Sequence, residues 1–227
     1  MVLEDKTMYT ECNGISIYYE ETGIGRPLIM LHGNSEDHTI FDAASQQLSA
    51  NYRVILPDSR GHGKSGGVKE LHYADMADDM ISFMEQLDLR DVIFYGFSDG
   101  GIIGLLAAMK CDRITDLITS GANLTPDGVS GGLKLLVKVL YAFTKDPKLT
   151  MILKEPNITA EDLSKIKART LVLAGSKDLV TRQETEAIAA GIPGADLLIL
   201  DGEGHGSYIV HSRKIADILS GWLSHRQ

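Results

Sequence analysis

The sequence predicts an α/β protein in which a mostly parallel sheet is flanked by helices on both faces. Three observations carry that prediction. The chain opens with one hairpin signal. Short, uninterrupted apolar runs follow, and stretches of helical spacing separate them. Uninterrupted apolar runs suit strands buried on both faces, and strand alternating with helix is the pattern of a layered α/β sheet.

The hairpin comes first. Met8 to Cys12 and Ile15 to Glu20 flank Asn13-Gly14, a pair that tolerates the left-handed backbone a tight two-residue turn demands. The apolar runs are Pro27 to Leu31, Tyr52 to Leu56, Val92 to Tyr95, Ile114 to Ile118, Leu171 to Ala174 and Leu197 to Leu200. The intervening helices are predicted at Phe41 to Leu48, Ala74 to Leu87, Ile102 to Met109, Thr181 to Ala190 and Ile209 to Trp222. In the second of these, Met76, Met80, Phe83, Met84 and Leu87 share one face.

Residues 122–166 break the rhythm. Thr125-Pro126-Asp127-Gly128 reads as a turn. Leu133 to Thr144 then reads as a helix with Lys134, Lys138 and Lys145 on one stripe and Leu136, Val137, Leu140 and Phe143 elsewhere. So wide an apolar face is expected to cover something apolar. The segment is either a lid over a pocket or one more helix packed on the sheet.

The chemistry concentrates at Gly96-Phe97-Ser98-Asp99-Gly100-Gly101. A buried strand, a sharp turn and a helix around G-x-S-x-G lift a serine hydroxyl above the sheet edge. Gly96 and Gly100 lack the Cβ that would block the turn. Such a hydroxyl needs a base, and the base needs an orienting acid. Asp178 follows the strand at Leu171. Thr181 with Glu184 forms a capping-box pattern for the next helix, which leaves Asp178 free for another task. His205 follows the strand at Leu197 in the glycine-rich Asp201 to Gly206. His211 and His225 fall to the last helix, and His38 and His72 to surface loops. The expected catalytic set is therefore Ser98, Asp178 and His205. Negative charge on a substrate carbonyl oxygen would be met by the backbone N–H groups of Asn34 and Asp99, with His32 supporting the turn that carries Asn34.

At this point the residues resemble the α/β-hydrolase family over nearly the whole chain. The matching pieces are His32-Gly33-Asn34, Asp58 to Ser65, Gly96 to Gly101, Gly175 to Asp178 and Gly204-His205. The resemblance implies an eight-stranded, mostly parallel sheet in one α/β-hydrolase domain spanning 1–227. It also implies a short helical lid inserted after the sixth strand, at 122–166. It implies a serine hydrolase that cleaves small carboxylic esters through an acyl-enzyme, with no cofactor and no metal. Thioesterase, lactonase and perhydrolase activity use the same residues, and a slow-turnover ligand sensor is the rival from another class. A serine at position 98 argues against the dehalogenases and epoxide hydrolases of the family, which use aspartate. Ser98-Asp99 is similar to hydrolases acting on small activated esters, amino-acid esters among them. Asp99 either complements the helix dipole or attracts a cationic group on the substrate.

The chain of 227 residues has 22 Lys and Arg against 31 Asp and Glu, a net charge of −9. That balance argues against nucleic acid or an anionic membrane as partner. Cys12 and Cys111 are expected to be free. The N-terminal residues carry no apolar signal core, and a cytoplasmic protein is expected. Gly63-Lys64-Ser65 lacks the upstream glycine of a phosphate loop. Asp75, Asp78 and Asp79 are expected to be solvated, and no Cys/His spacing fits zinc.

Overall fold

Asn13 and Gly14 both take positive φ, 49° and 77°, and the chain reverses there between β1 (Lys6–Cys12) and β2 (Ile15–Thr22). The computed structural model describes residues 6–225. Each apolar run becomes a strand: β3 (Arg26–Leu31), β4 (Tyr52–Pro57), β5 (Val92–Phe97), β6 (Ile114–Ser120), β7 (Arg169–Lys177) and β8 (Asp196–Gly204). They form one eight-stranded sheet in the order β1-β2-β4-β3-β5-β6-β7-β8. Strands β3 to β8 are mutually parallel, while β2 runs antiparallel to both its neighbours, β1 and β4. The expected α/β-hydrolase fold class is the one observed.

Helices cover both faces. Helix α1 (Asp42–Leu48) and the last helix, α8 (Lys214–Ser224), bury Phe41, Ala44, Leu48, Ile215 and Leu219 on one side with Leu28, Ile93 and Ile118. Helices α2 (Tyr73–Gln86), α3 (Asp99–Ala108) and α7 (Arg182–Gly191) cover the other, where Met76, Met80, Phe83, Ile103 and Ile188 pack on Ile29, Phe94 and Val172. The methionine-rich stripe of α2 is buried as its spacing requires. Between β6 and β7 lie α4 (Gly131–Thr144), α5 (Pro147–Lys154) and the single-turn α6 (Ala160–Leu163); the last two are absent from the sequence reading.

Several expectations need correction. His38 is no surface residue: it is 4% exposed, and its Nδ1 donates to Asp58 Oδ1 at 2.8 Å while Nε2 meets Glu20 Oε1 at 3.0 Å. Asp79 is not solvated either. It is buried, accepts two bonds from Arg60 (2.5 and 2.6 Å) and one from Asn13 (3.1 Å), and so ties α2 to the hairpin turn. His211 lies in the turn before α8, and His225 is the C-cap of that helix. Helix α4 buries only Val137 outright; most of its apolar face points outward. Both cysteines are free as expected, and burial pushes the Cys12 thiol up to about 11, where it is inert.

Candidate active site

Three strands end at one place. Ser98 follows β5, Asp178 follows β7 and His205 follows β8, all at the carboxyl edge of the sheet where open α/β sheets gather their ligands. Ser98 sits at φ 53°, ψ −116°, a strained conformation for an L-residue. The glycines around it are required by contact. A Cβ on Gly96 would fall 2.1 Å from the Gly100 carbonyl oxygen, and one on Gly100 would fall 2.2 Å from that of Leu31.

The three side chains form a continuous hydrogen-bonded line. Ser98 Oγ donates to His205 Nε2 at 3.0 Å, and His205 Nδ1 donates to Asp178 Oδ1 at 2.6 Å. Burial works to raise the Asp178 carboxyl, but the bond from His205, with backbone N–H bonds from Val180 and Gly175, outweighs it. Asp178 is held below the usual carboxylate range. The acid therefore remains ionised beside the imidazole and can orient it and offset a positive charge on it.

The path of β8 delivers the histidine. Leu200 pairs with Gly175 and Gly204 with Lys177, so β8 bulges outward across Asp201 to Glu203, with Gly202 at φ 78°. The strand runs on through most of the predicted glycine loop and presents His205 as it ends. Gly121, at the end of β6, was not singled out from the sequence. Its φ is 63°, and a Cβ there would lie 2.7 Å from His205 Cε1. The ring occupies the space that this glycine leaves.

Asn34 and Asp99 both line the cavity with Ser98. Among the described residues neither backbone N–H has an acceptor within the protein; that of Asp99 is in the first turn of α3, where intrahelical acceptors are missing. The side chains of the two residues are bonded to each other: Asn34 Nδ2 donates to Asp99 Oδ2 at 2.9 Å, and the buried Tyr73 hydroxyl donates to Asp99 Oδ1 at 2.8 Å. Burial raises the Asp99 carboxyl and these two bonds partly restore it. Both oxygens of Asp99 are thus committed within the protein. His32 supports the turn as expected, donating from Nδ1 to the Gly33 carbonyl (2.7 Å) and accepting at Nε2 from the Ser59 N–H (3.1 Å).

The cavity holds about 230 Å³ and is lined by Glu36, Phe97, Asn123, Val129, Leu133 and Leu179 around the serine. Glu36 is a residue missed from the sequence. Burial raises its carboxyl, and the Gly33 N–H donates to it at 3.0 Å. Only its position two residues beyond Asn34 could have drawn attention. The capping prediction needs refinement. Thr181 does accept from the Glu184 N–H, but the Glu184 carboxylate reaches away to the backbone N–H groups of Leu124 and Thr125. Asp178 is free of capping duty all the same.

No three-ligand cluster surrounds Ser98 among the described residues. The one such cluster among the described residues, Asp37, His38 and Asp58, contains the buried His38–Asp58 pair described above, with Asp37 half-buried beside it and bonded to Thr39.

Fold and relatives together define a hydrolase of the α/β class. The chain belongs to the α/β-hydrolase fold family, whose sequence model matches residues 26–143. It is 26% identical to the AB hydrolase superfamily protein YisY of Bacillus subtilis, over 91% of this chain and 94% of that one. It is 37% identical to a protein of Synechocystis named as a non-heme chloroperoxidase, over 92% and 95%. Among solved structures, an esterase from Exiguobacterium antarcticum superposes with a TM-score of 0.84 at 25% identity, covering 96% of this chain and all of that one.

Proposed function

We propose that this hydrolase is a serine esterase acting on small carboxylic esters, with Ser98 as nucleophile, His205 as general base and acid, and Asp178 as orienting acid. The observation that carries the reading is the unbroken line from Ser98 Oγ through both nitrogens of His205 to Asp178, with bonds of 3.0 and 2.6 Å. His205 Nε2 takes the hydroxyl proton as Oγ attacks the ester carbonyl. The Asn34 and Asp99 N–H groups receive the oxyanion. His205 returns the proton to the departing alcohol, and water, deprotonated by the same nitrogen, then releases the acid from Ser98. The small cavity favours short acyl groups, and its carboxylates, Glu36, Asp99 and Glu155, disfavour anionic ones. Residues 122–166 act as a short lid within the one domain, a reading supported by Val129 and Leu133, which line the cavity with Ser98.

A single assay series tests this. With p-nitrophenyl acetate, Ser98→Ala is expected to abolish turnover, and Asp178→Asn to lower kcat by about 10⁴. A loss of tenfold or less for Asp178→Asn would remove the triad assignment. Perhydrolysis is the second reading, supported by the name of the Synechocystis relative. There hydrogen peroxide replaces water, the acyl–Oγ bond breaks, and a peracid leaves with Ser98 restored. Peracid formation exceeding ester hydrolysis at millimolar peroxide would favour it.

A further inference from the structure

We propose that helix α4 is a membrane-docking element that seats the protein on anionic lipid surfaces. The proposal is independent of the triad assignment, since it rests on the outer face of the helix alone. Leu135, Leu136, Val139, Leu140 and Phe143 are exposed there, Phe143 to 85%. At helical spacing they fill the solvent-facing arc with Ala142, and no polar side chain interrupts them. Lone exposed apolar residues are ordinary, but a contiguous apolar face marks an interaction surface.

Charge identifies the occupant. The chain as a whole carries −9, and that excess of acid argued against an anionic membrane. It is not spread evenly. From Gly131 to Lys154 there are five lysines, Lys134, Lys138, Lys145, Lys148 and Lys154, against a single acid, Asp146. Lys138 and Lys145 run along one flank of the apolar arc with Lys134, which is itself paired with Asp127. A basic stripe beside a convex apolar face is the pattern of a helix lying in the plane of a lipid interface. A shaped protein partner normally supplies hydrogen bonds at its interface, about one per 100–200 Å², and this arc offers no side chain to make one. A fluid acyl layer needs none. Leu133, at the inner edge of the same arc beside Leu136 and Leu140, lines the cavity around Ser98, so docking would bring that cavity close to lipid.

Cosedimentation of the full chain with extruded vesicles tests the proposal without any activity measurement. Binding is expected to vesicles of equal parts phosphatidylcholine and phosphatidylglycerol. Partitioning should fall at least about tenfold with phosphatidylcholine alone or in 0.5 M salt. Leu136→Asp/Phe143→Asp should lower it by a similar factor, as should Lys138→Glu/Lys145→Glu. Both pairs lie on the exposed surface, and an unchanged thermal melt checks their folding. Failure to bind the mixed vesicles overturns the proposal, and so does binding that neither pair of substitutions weakens. Sedimentation velocity provides the remaining arm: a dimer split by Phe143→Asp, with no vesicle binding, would assign the face to a second copy of this chain.

Discussion

Tyr73 holds a carboxylate that would otherwise be poorly supported in the interior. Its buried hydroxyl and the Asn34 amide are the two donors to Asp99, and Asp99 and Asn34 carry the N–H groups assigned to the oxyanion. The three side chains therefore fix the spacing of those two donors. Tyr73→Phe leaves the Asp99 carboxylate with one donor and is expected to cost about 1–3 kcal/mol of stability, read by urea denaturation. Turnover of p-nitrophenyl acetate should fall on the order of tenfold with KM little changed, the signature of an interaction felt in the transition state. Nothing near position 73 in the sequence signals this role. The serine turn was legible because its chemistry is compressed into six consecutive residues, 96–101. Tyr73, Asp79 and His38 were not, because each is defined by partners far along the chain: Asp99, Arg60 with Asn13, and Asp58 with Glu20.

At the scale of elements, the alternation of apolar runs and helical spacing placed every strand to within a few residues. It also placed most of the helices, because from β3 to β7 burial on both faces leaves a plain record in composition; β8, read the same way, is instead an edge strand with Leu197 and Leu198 exposed. The two missed helices are the short α5 and the single-turn α6, whose signals are caps rather than periodicity: Asp146 before Pro147, and Thr159 with Asp162. The ends of β6 and β8 were also hidden. A bulge and a left-handed glycine leave no hydrophobic pattern, yet both position His205. Gly121→Ala is expected to displace the ring by crowding Cε1 and to lower kcat on the order of 10²-fold. Its near-native far-ultraviolet dichroism would separate this displacement from unfolding.

Across the whole molecule, a buried ion pair joins the hairpin, the central sheet and the turn before α1. Burial would lower the His38 imidazole, but the hydrogen bond and charge of Asp58, reinforced by Glu20, outweigh it and hold the imidazole above its ordinary 6.5. Asp58 is likewise held below its ordinary 3.8 against the opposing effect of burial. The raised histidine contributes stability that is fully present below about 6.5 and is lost as pH rises through the folded-state value. The depressed aspartate contributes above its ordinary value and is lost as pH falls. The Tm difference between the wild type and His38→Gln should therefore be largest between these limits and shrink as pH climbs beyond 6.5. A difference independent of pH would show that the imidazole acts only by packing.

The segment proposed as a lid is bonded to the body of the protein at two places. At one, Glu184 accepts from the Leu124 and Thr125 N–H groups. At the other, Glu155 accepts from His72 and from the Tyr73 N–H at 2.6 and 3.1 Å. Anchored at two points along its length, a lid of this kind is better suited to bowing between its anchors than to swinging about one end. In the proposed reading, admission to the serine is thereby coupled to α2 and α7, and a disturbance at either distant helix would be felt as a change in the width of the passage.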